Sequence, residues 1–198
     1  MNSCVAAATR NDHKLREIRE ILSIPGLALV GAVDVPGLPD VEEDGATFEA
    51  NARKKAVELA RLAGMWTLAD DSGLEVDALG GAPGVFSARY AGEPVDYAAN
   101  NRKLLRALDG AADRRGRFRC VIALSDAAGT CECVEGACPG AIAAAPRGTH
   151  GFGYDPVFVP DGFTETFAEL PSATKNRLSH RANALKHAVE SGLFGKLA

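Results

Sequence analysis

The stretch TFEANARKKAVELARLAGMWTLADDSG, residues 47–73, runs from a helix start through a strand into an acidic motif. Thr47 begins the helix, and Phe48, Ala52, Ala56, Leu59 and Ala63 recur at helical spacing. Gly64 stops it. Trp66–Ala69 predicts a strand that feeds Asp70-Asp71-Ser72-Gly73. The same alternation precedes it. Ser3–Thr9 predicts a strand, and Asn11 caps a helix to about Ser23 whose face carries Leu15, Ile18, Ile21 and Leu22. Pro25-Gly26 ends that helix, and Leu27–Val33 predicts a second strand. Downstream, Leu74–Leu79 predicts another strand and Tyr97–Leu108 a helix. Phe118–Ser125 and Cys131–Cys138 predict an antiparallel pair joined by Asp126–Gly129, and a last helix runs from Ser179 to Gly192. Strands and helices interleave early and a hairpin interrupts later, which predicts an α/β fold with a mixed sheet.

The bulk properties narrow the field. A chain of 198 residues fits a single domain, or two lobes around one core, better than two independent domains. A formal charge of −4 argues against a general nucleic-acid binder, so an anionic substrate needs local cations or a metal. Five cysteines, an odd number, predict free thiols in a reducing compartment. Cys131, Cys133 and Cys138 could suggest zinc, but C-x-C is poor zinc spacing, and on a strand it simply puts two small side chains on one face. No basic stretch precedes a long apolar one, and no window reaches the roughly 18 apolar residues of a membrane span. The expectation is a cytoplasmic protein without a membrane or nucleic-acid partner.

Four polar clusters carry candidate chemistry. Thr9-Arg10-Asn11-Asp12-His13-Lys14 lies at a strand-to-helix junction, where free N–H groups and the helix dipole suit a phosphate. The dipole disfavours Lys14 in the first turn, and a bound anion would remove that conflict. Glu42-Glu43-Asp44 precedes a helix on which Thr47, Asn51 and Lys55 share one face. Asp70-Asp71-Ser72-Gly73 sets two carboxylates side by side, which is costly without a cation. Hard oxygen ligands of this kind suit Mg²⁺. Finally, Gly151-Phe152-Gly153-Tyr154-Asp155 offers a ring for a flat ligand, with Lys175 and Ser179-His180-Arg181 as donors. Each cluster alone also reads as ordinary structure: a capped helix, a solvated acidic loop, a polar turn, a basic helix end.

Together and in this order, TRNDHK (9–14), EEDGATFEANARKKA (42–56), ADDSGLEVDALGGAPGVFSARYAG (69–92), GFGYDPVF (151–158) and KNRLSHRANAL (175–185) resemble the inosine/xanthosine triphosphate pyrophosphatases, the house-cleaning enzymes for deaminated purine nucleotides. The resemblance implies a two-lobed α/β fold around a long mixed sheet, a ligand cleft between the lobes, and a homodimer. It implies Mg²⁺-dependent hydrolysis of ITP, dITP and XTP to the monophosphate and pyrophosphate. Carried over by motif, Glu42 and Asp71 are metal ligands and Asp71 the proton acceptor, with Asp70 the other candidate base. Thr9, Arg10, Asn11, Asp12, His13, Lys14, Lys55, Ser72, Phe152, Gly153, Tyr154, Asp155, Lys175, His180 and Arg181 are substrate contacts. The family pattern usually has Gly where this chain has Arg10, so a left-handed backbone there would be strained. It also differs at Asp44 and Ala50, where Thr and Glu are common. Two alternatives remain open: a non-catalytic nucleotide sensor, and a phosphatase that releases orthophosphate.

Overall fold

The computed structural model describes residues 3–197. Its elements follow in order β1 (Ser3–Ala7), α1 (Asp12–Ile21), β2 (Leu27–Gly31), α2 (Phe48–Ala63), β3 (Thr67–Val76), α3 (Tyr97–Ala107), β4 (Arg115–Ser125), β5 (Cys131–Ile142), β6 (Phe158–Pro160), α4 (Ser172–Leu178) and α5 (His180–Glu190). The strands form one mixed α/β sheet in the order β2-β1-β3-β4-β5-β6. β1 runs parallel to β2, from Ser3 opposite Leu27 to Ala7 opposite Gly31, and parallel to β3. β5 and β6 are antiparallel. No helix among the described residues is long and apolar enough to cross a membrane.

The chain divides into two compact units. The first comprises Met1–Asp71, Cys120–Gly136 and Arg181–Ala198, and the second Ser72–Arg119 and Ala137–His180. The division passes between Asp71 and Ser72 and between His180 and Arg181, through two of the polar motifs. Val5, Ile18, Leu68, Ile122, Leu124 and Leu185 centre the core of the first unit. The core of the second is built on Leu74, Leu104, Leu108, Phe118, Phe158 and Phe167.

Helix α2 forms as its sequence dictates. The Thr47 hydroxyl accepts from the Ala50 N–H at 3.1 Å, and Gly64 closes the helix in a left-handed conformation, φ 64°. Its polar face is not solvated, however: Asn51 and Lys55 are both buried. The Asn51 carbonyl accepts from the Gly45 N–H at 2.7 Å and so ties the acidic loop to the helix.

Three expectations change. Asp70-Asp71-Ser72-Gly73 is not a turn at a strand end. It lies inside β3, a single ten-residue strand in place of two short ones. Turn-forming residues stay extended there because the strand is almost wholly buried and the sheet holds its backbone. A close neighbour helps on the β4 side, since a Cβ on Gly116 would stand 2.6 Å from the Glu75 carbonyl. Second, the C-terminal helix is preceded by a separate α4, and extended Ser179, ψ 158°, divides the two. Third, Arg10 carries no strain, because no described residue other than glycine has positive φ.

Leu68→Ala, in the fully buried core of the first unit, is expected to cost about 2–5 kcal/mol of stability, measured by denaturant unfolding.

Candidate active site

In the first unit the chain leaves β1 and turns into α1. The Thr9 hydroxyl accepts from the Asn11 N–H at 3.1 Å. The Asn11 side chain accepts from the His13 and Lys14 N–H groups at 3.0 and 3.2 Å. This cap orients Lys14, whose Nζ stands 3.0 Å from Asp70 Oδ1. Burial opposes the charge on Lys14, but Asp70 outweighs it and raises the lysine pKa.

Asp70 is the hub. Arg181, buried among the largest enclosed side chains, donates Nε and Nη2 to Asp70 Oδ2 at 3.1 and 2.8 Å. Its Nη1 donates to Glu17. The Cys120 thiol also approaches Asp70 Oδ2, at 3.7 Å. Burial favours a neutral Asp70, yet Arg181, Lys14 and Lys55 overcome it and hold the carboxyl well below the usual range.

Asp71 has a different environment. Successive residues of a strand point to opposite faces, so Asp71 does not share Asp70's direct bonds to Arg181 and Lys14. Its nearest cation is Lys55, at 3.8 Å. That lysine is anchored by Glu43 at 2.5 Å and by the Asp70 carbonyl at 2.7 Å. Burial raises the Asp71 pKa, Lys55 and Lys14 pull it down, and nearby Glu43 adds to the rise.

Around this point three cations, Lys14, Lys55 and Arg181, face four carboxylates, Glu17, Glu43, Asp70 and Asp71. The protein alone therefore does not present excess positive charge to a phosphate. A hard divalent cation fits the sign of this donor set and its oxygen chemistry. Among the described residues no three His, Cys, Asp or Glu are grouped as a cage. Carboxylate oxygens such as those of Asp71 and Glu43 are the donors that hard divalent ions take, one or two at a time.

The second unit carries the aromatic set. The Asp155 carboxylate accepts from Lys175 Nζ at 2.6 Å and from the Phe152 N–H at 2.8 Å. Gly151 has φ +74°, and a Cβ there would collide with that carboxylate, so only glycine serves. Lys175 Nζ lies 5.1 Å from the centre of the half-buried Phe152 ring. The Gly153 carbonyl accepts from Asn101 Nδ2 at 3.0 Å. Tyr154 is buried and its hydroxyl donates to the Ser87 carbonyl at 2.9 Å, an internal structural bond. His180 stacks on Phe118, centroids 4.7 Å apart and planes 13° apart.

The first unit thus joins Lys14, Lys55, Asp71 and Arg181, and the second joins Phe152, Asp155 and Lys175. Ser72 is half-buried beside Asp71 in sequence. Other predicted residues lie apart from these groups. Arg10 is held by Asp40 at 2.5 Å and by the Leu38 carbonyl at 2.7 Å. Asp12, His13 and Glu42 are exposed, and it is Glu43 that bonds Lys55. The sequence did not single out Glu17 or Asn101. Both sit in amphipathic helices where a polar residue carries no mark of its own.

The family model described as the Ham1 family matches residues 5–191. A protein of Desulforamulus reducens named dITP/XTP pyrophosphatase is 51% identical over 185 residues, covering 92% of each chain. One of Bacillus licheniformis with the same name is 48% identical over 184 residues, covering 92% of this chain and 94% of its own. The solved Staphylococcus aureus Ham1 protein superposes with a TM-score of 0.87 at 39% identity, over 98% of this chain and 99% of that one. A Coxiella burnetii HAM1 protein gives 0.87 at 40% identity, over 96% and 98%. The fold is that of the solved Ham1 proteins, and the curated relatives carry the name of a nucleotide pyrophosphatase. The chain is a member of the Ham1 family.

The two adjacent aspartates should respond oppositely to neutralisation. Asp70 has a depressed pKa, so its contribution is present above the unfolded value of about 3.9 and is lost as pH falls towards the folded one. Asp71 has a raised pKa, so its ionisation destabilises the fold as pH rises through the unfolded and then the folded value. At neutral pH and without metal, Asp70→Asn should cost about 3–5 kcal/mol by stranding Arg181 and Lys14. Asp71→Asn should leave stability equal or higher. Equal losses in both, by thermal or urea unfolding, would contradict these environments.

Proposed function

We propose that the protein hydrolyses ITP, dITP and XTP to the nucleoside monophosphate and pyrophosphate, with Mg²⁺ as its metal, the whole chain acting as one enzyme. The observation that carries this is Asp71: a buried carboxylate with a raised pKa, 3.8 Å from Lys55, in a family whose relatives bear the name dITP/XTP pyrophosphatase. A general base works best when its pKa is lifted towards the working pH.

In this mechanism water attacks the α-phosphorus, its proton passes to Asp71, and pyrophosphate leaves. Asp70 is a poor base, because Arg181 and Lys14 stabilise its ionised form. Asp71 would hold the metal together with Glu42 or its neighbour Glu43. When bound, the divalent ion neutralises phosphate charge. Lys14 and Lys55 offset the negative charge that develops during transfer, and Lys175 is a further substrate contact. The α1 start, with its Asn11 cap, and Ser72 supply phosphate and sugar contacts.

Phe152 stacks on the purine. Hypoxanthine and xanthine carry a 6-keto acceptor where adenine carries an amino donor. A donor from His180 or Arg181 satisfies the first and opposes the second, and hydrogen-bonded sites of this kind discriminate by about 10⁴ or more. The stack of His180 on Phe118 and the grip of Asp70 and Glu17 on Arg181 support fixed orientations for both donors. The working form is a homodimer in the cytoplasm, and light scattering of the purified protein checks the dimer.

A product assay with ITP, XTP, GTP and ATP should give pyrophosphate, not orthophosphate, with ITP and XTP far ahead of ATP. EDTA should abolish turnover and Mg²⁺ restore it. Asp71→Asn should lower kcat by about 10²–10⁴-fold. Tight ITP binding without pyrophosphate release would favour a sensor instead. A second variant tests the base contact: Phe152→Ala should weaken ITP binding by about 1–3 kcal/mol, the usual value of one base stack.

A further inference from the structure

Cys131 and Cys133 begin β5, in the first unit, and play no part in the nucleotide chemistry. Two residues apart on a strand, they share one face. Val134, on the other face, packs against the first unit's core. Both thiols are half-buried, and each acts on the other's ionisation. Arg53 of α2 reaches the same point and donates Nη1 to the Cys131 carbonyl at 2.8 Å.

This pair is poorly placed for a disulfide. Two strand residues advance about 6.6 Å, while a disulfide needs Cβ atoms about 3.5–4.5 Å apart. Closing the bond would break the strand. A bridging metal asks for much less. Two metal–sulfur bonds of about 2.3 Å span as much as about 4.6 Å between sulfurs, which leaves each Cβ in place.

We propose that Cys131 and Cys133 form a two-thiolate site for a soft monovalent cation of the Cu(I) class. Thiolates select such ions, whereas structural zinc takes four ligands. Those are not supplied: no group of three candidate ligands occurs among the described residues. Cys138 lies on the opposite face of β5 by register and belongs to the core of the second unit. The charge also suits a monovalent ion. Two thiolates and one Cu(I) leave a single negative charge beside the Arg53 guanidinium. Contact with Cys133, and then Arg53, lower the Cys131 pKa against burial, while contact with Cys131 and burial push the Cys133 thiol up, so the metal must displace the proton that the pair holds. Binding forms two copper–sulfur bonds, each protonated thiol gives its proton to water, and no electron is transferred.

The test uses the full chain under anaerobic conditions, with Cu(I) presented as its bicinchoninate complex and its transfer followed by colour. Wild type and Cys4→Ser should each take a single equivalent, and Cys131→Ser and Cys133→Ser should each lose it. Cu(I) should also protect both thiols of the wild type, but not exposed Cys4, from iodoacetamide, read by mass spectrometry. That measurement needs no variant to fold. Retention of the equivalent by either serine variant, its loss in Cys4→Ser, or unprotected Cys131 and Cys133 would overturn the proposal.

Discussion

Asp70 is a carboxylate with essentially no solvent, and the first unit is arranged around keeping it charged. Moving such an ion out of water costs several kcal/mol, which only close and well-bonded partners offset. Arg181 comes from the start of α5, Lys14 from the first turn of α1, and Lys55 reaches the Asp70 carbonyl from α2. One residue on β3, through its carboxylate and its main-chain carbonyl, therefore fixes the approach of three helices. The same bonds immobilise three cations that would otherwise be flexible. Rigid donors of this kind are what an anionic ligand needs, because they require little reorganisation on binding.

This arrangement leaves the proposed phosphate-binding region with nearly balanced charge. Glu17, Glu43, Asp70 and Asp71 already answer the lysines and the arginine. A triphosphate entering it brings strong negative charge and must bring, or find, a compensating cation. Oxygen donors at Asp71 and Glu43 are the chemistry that a hard divalent ion takes. Because Lys14 and Arg181 are used internally to stabilise Asp70, little positive charge is left over for a phosphate, which accords with the proposed metal. Were Lys14 and Arg181 directed at phosphate alone, the unit would hold Asp70 unpaired at a large penalty.

How much of this the sequence discloses depends on the residue. Helix α2 is legible throughout, because Thr47, the apolar stripe and Gly64 each act locally. The strands β1 and β2 are legible from short apolar runs. Asp70-Asp71-Ser72-Gly73 misleads, since four polar or small residues carry turn chemistry in their own right and only the surrounding sheet keeps them extended. Glu42, Glu43 and Asp44 are indistinguishable in sequence, and which one meets Lys55 follows from the path of the loop that Asn51 holds. The SHR segment shows its donors but not their direction. Arg181 turns inward because Asp70, far earlier in the chain, needs it.

The adjacency of Asp70 and Asp71 has a further consequence. On a strand, neighbours face opposite ways, so two identical side chains one residue apart occupy unlike surroundings. Asp70 meets Arg181 and Lys14 directly and its pKa falls. The Asp71 pKa is raised by burial, which Lys55 at 3.8 Å and Lys14 only partly offset and to which Glu43 adds. Pairs of carboxylates driven apart in this way divide the labour of acid–base chemistry, one permanently charged and one able to exchange a proton. A turn would let both aspartates explore the same solvent and would erase the difference. The extended backbone that contradicts the local turn propensity of this motif is therefore what makes its two acids chemically distinct.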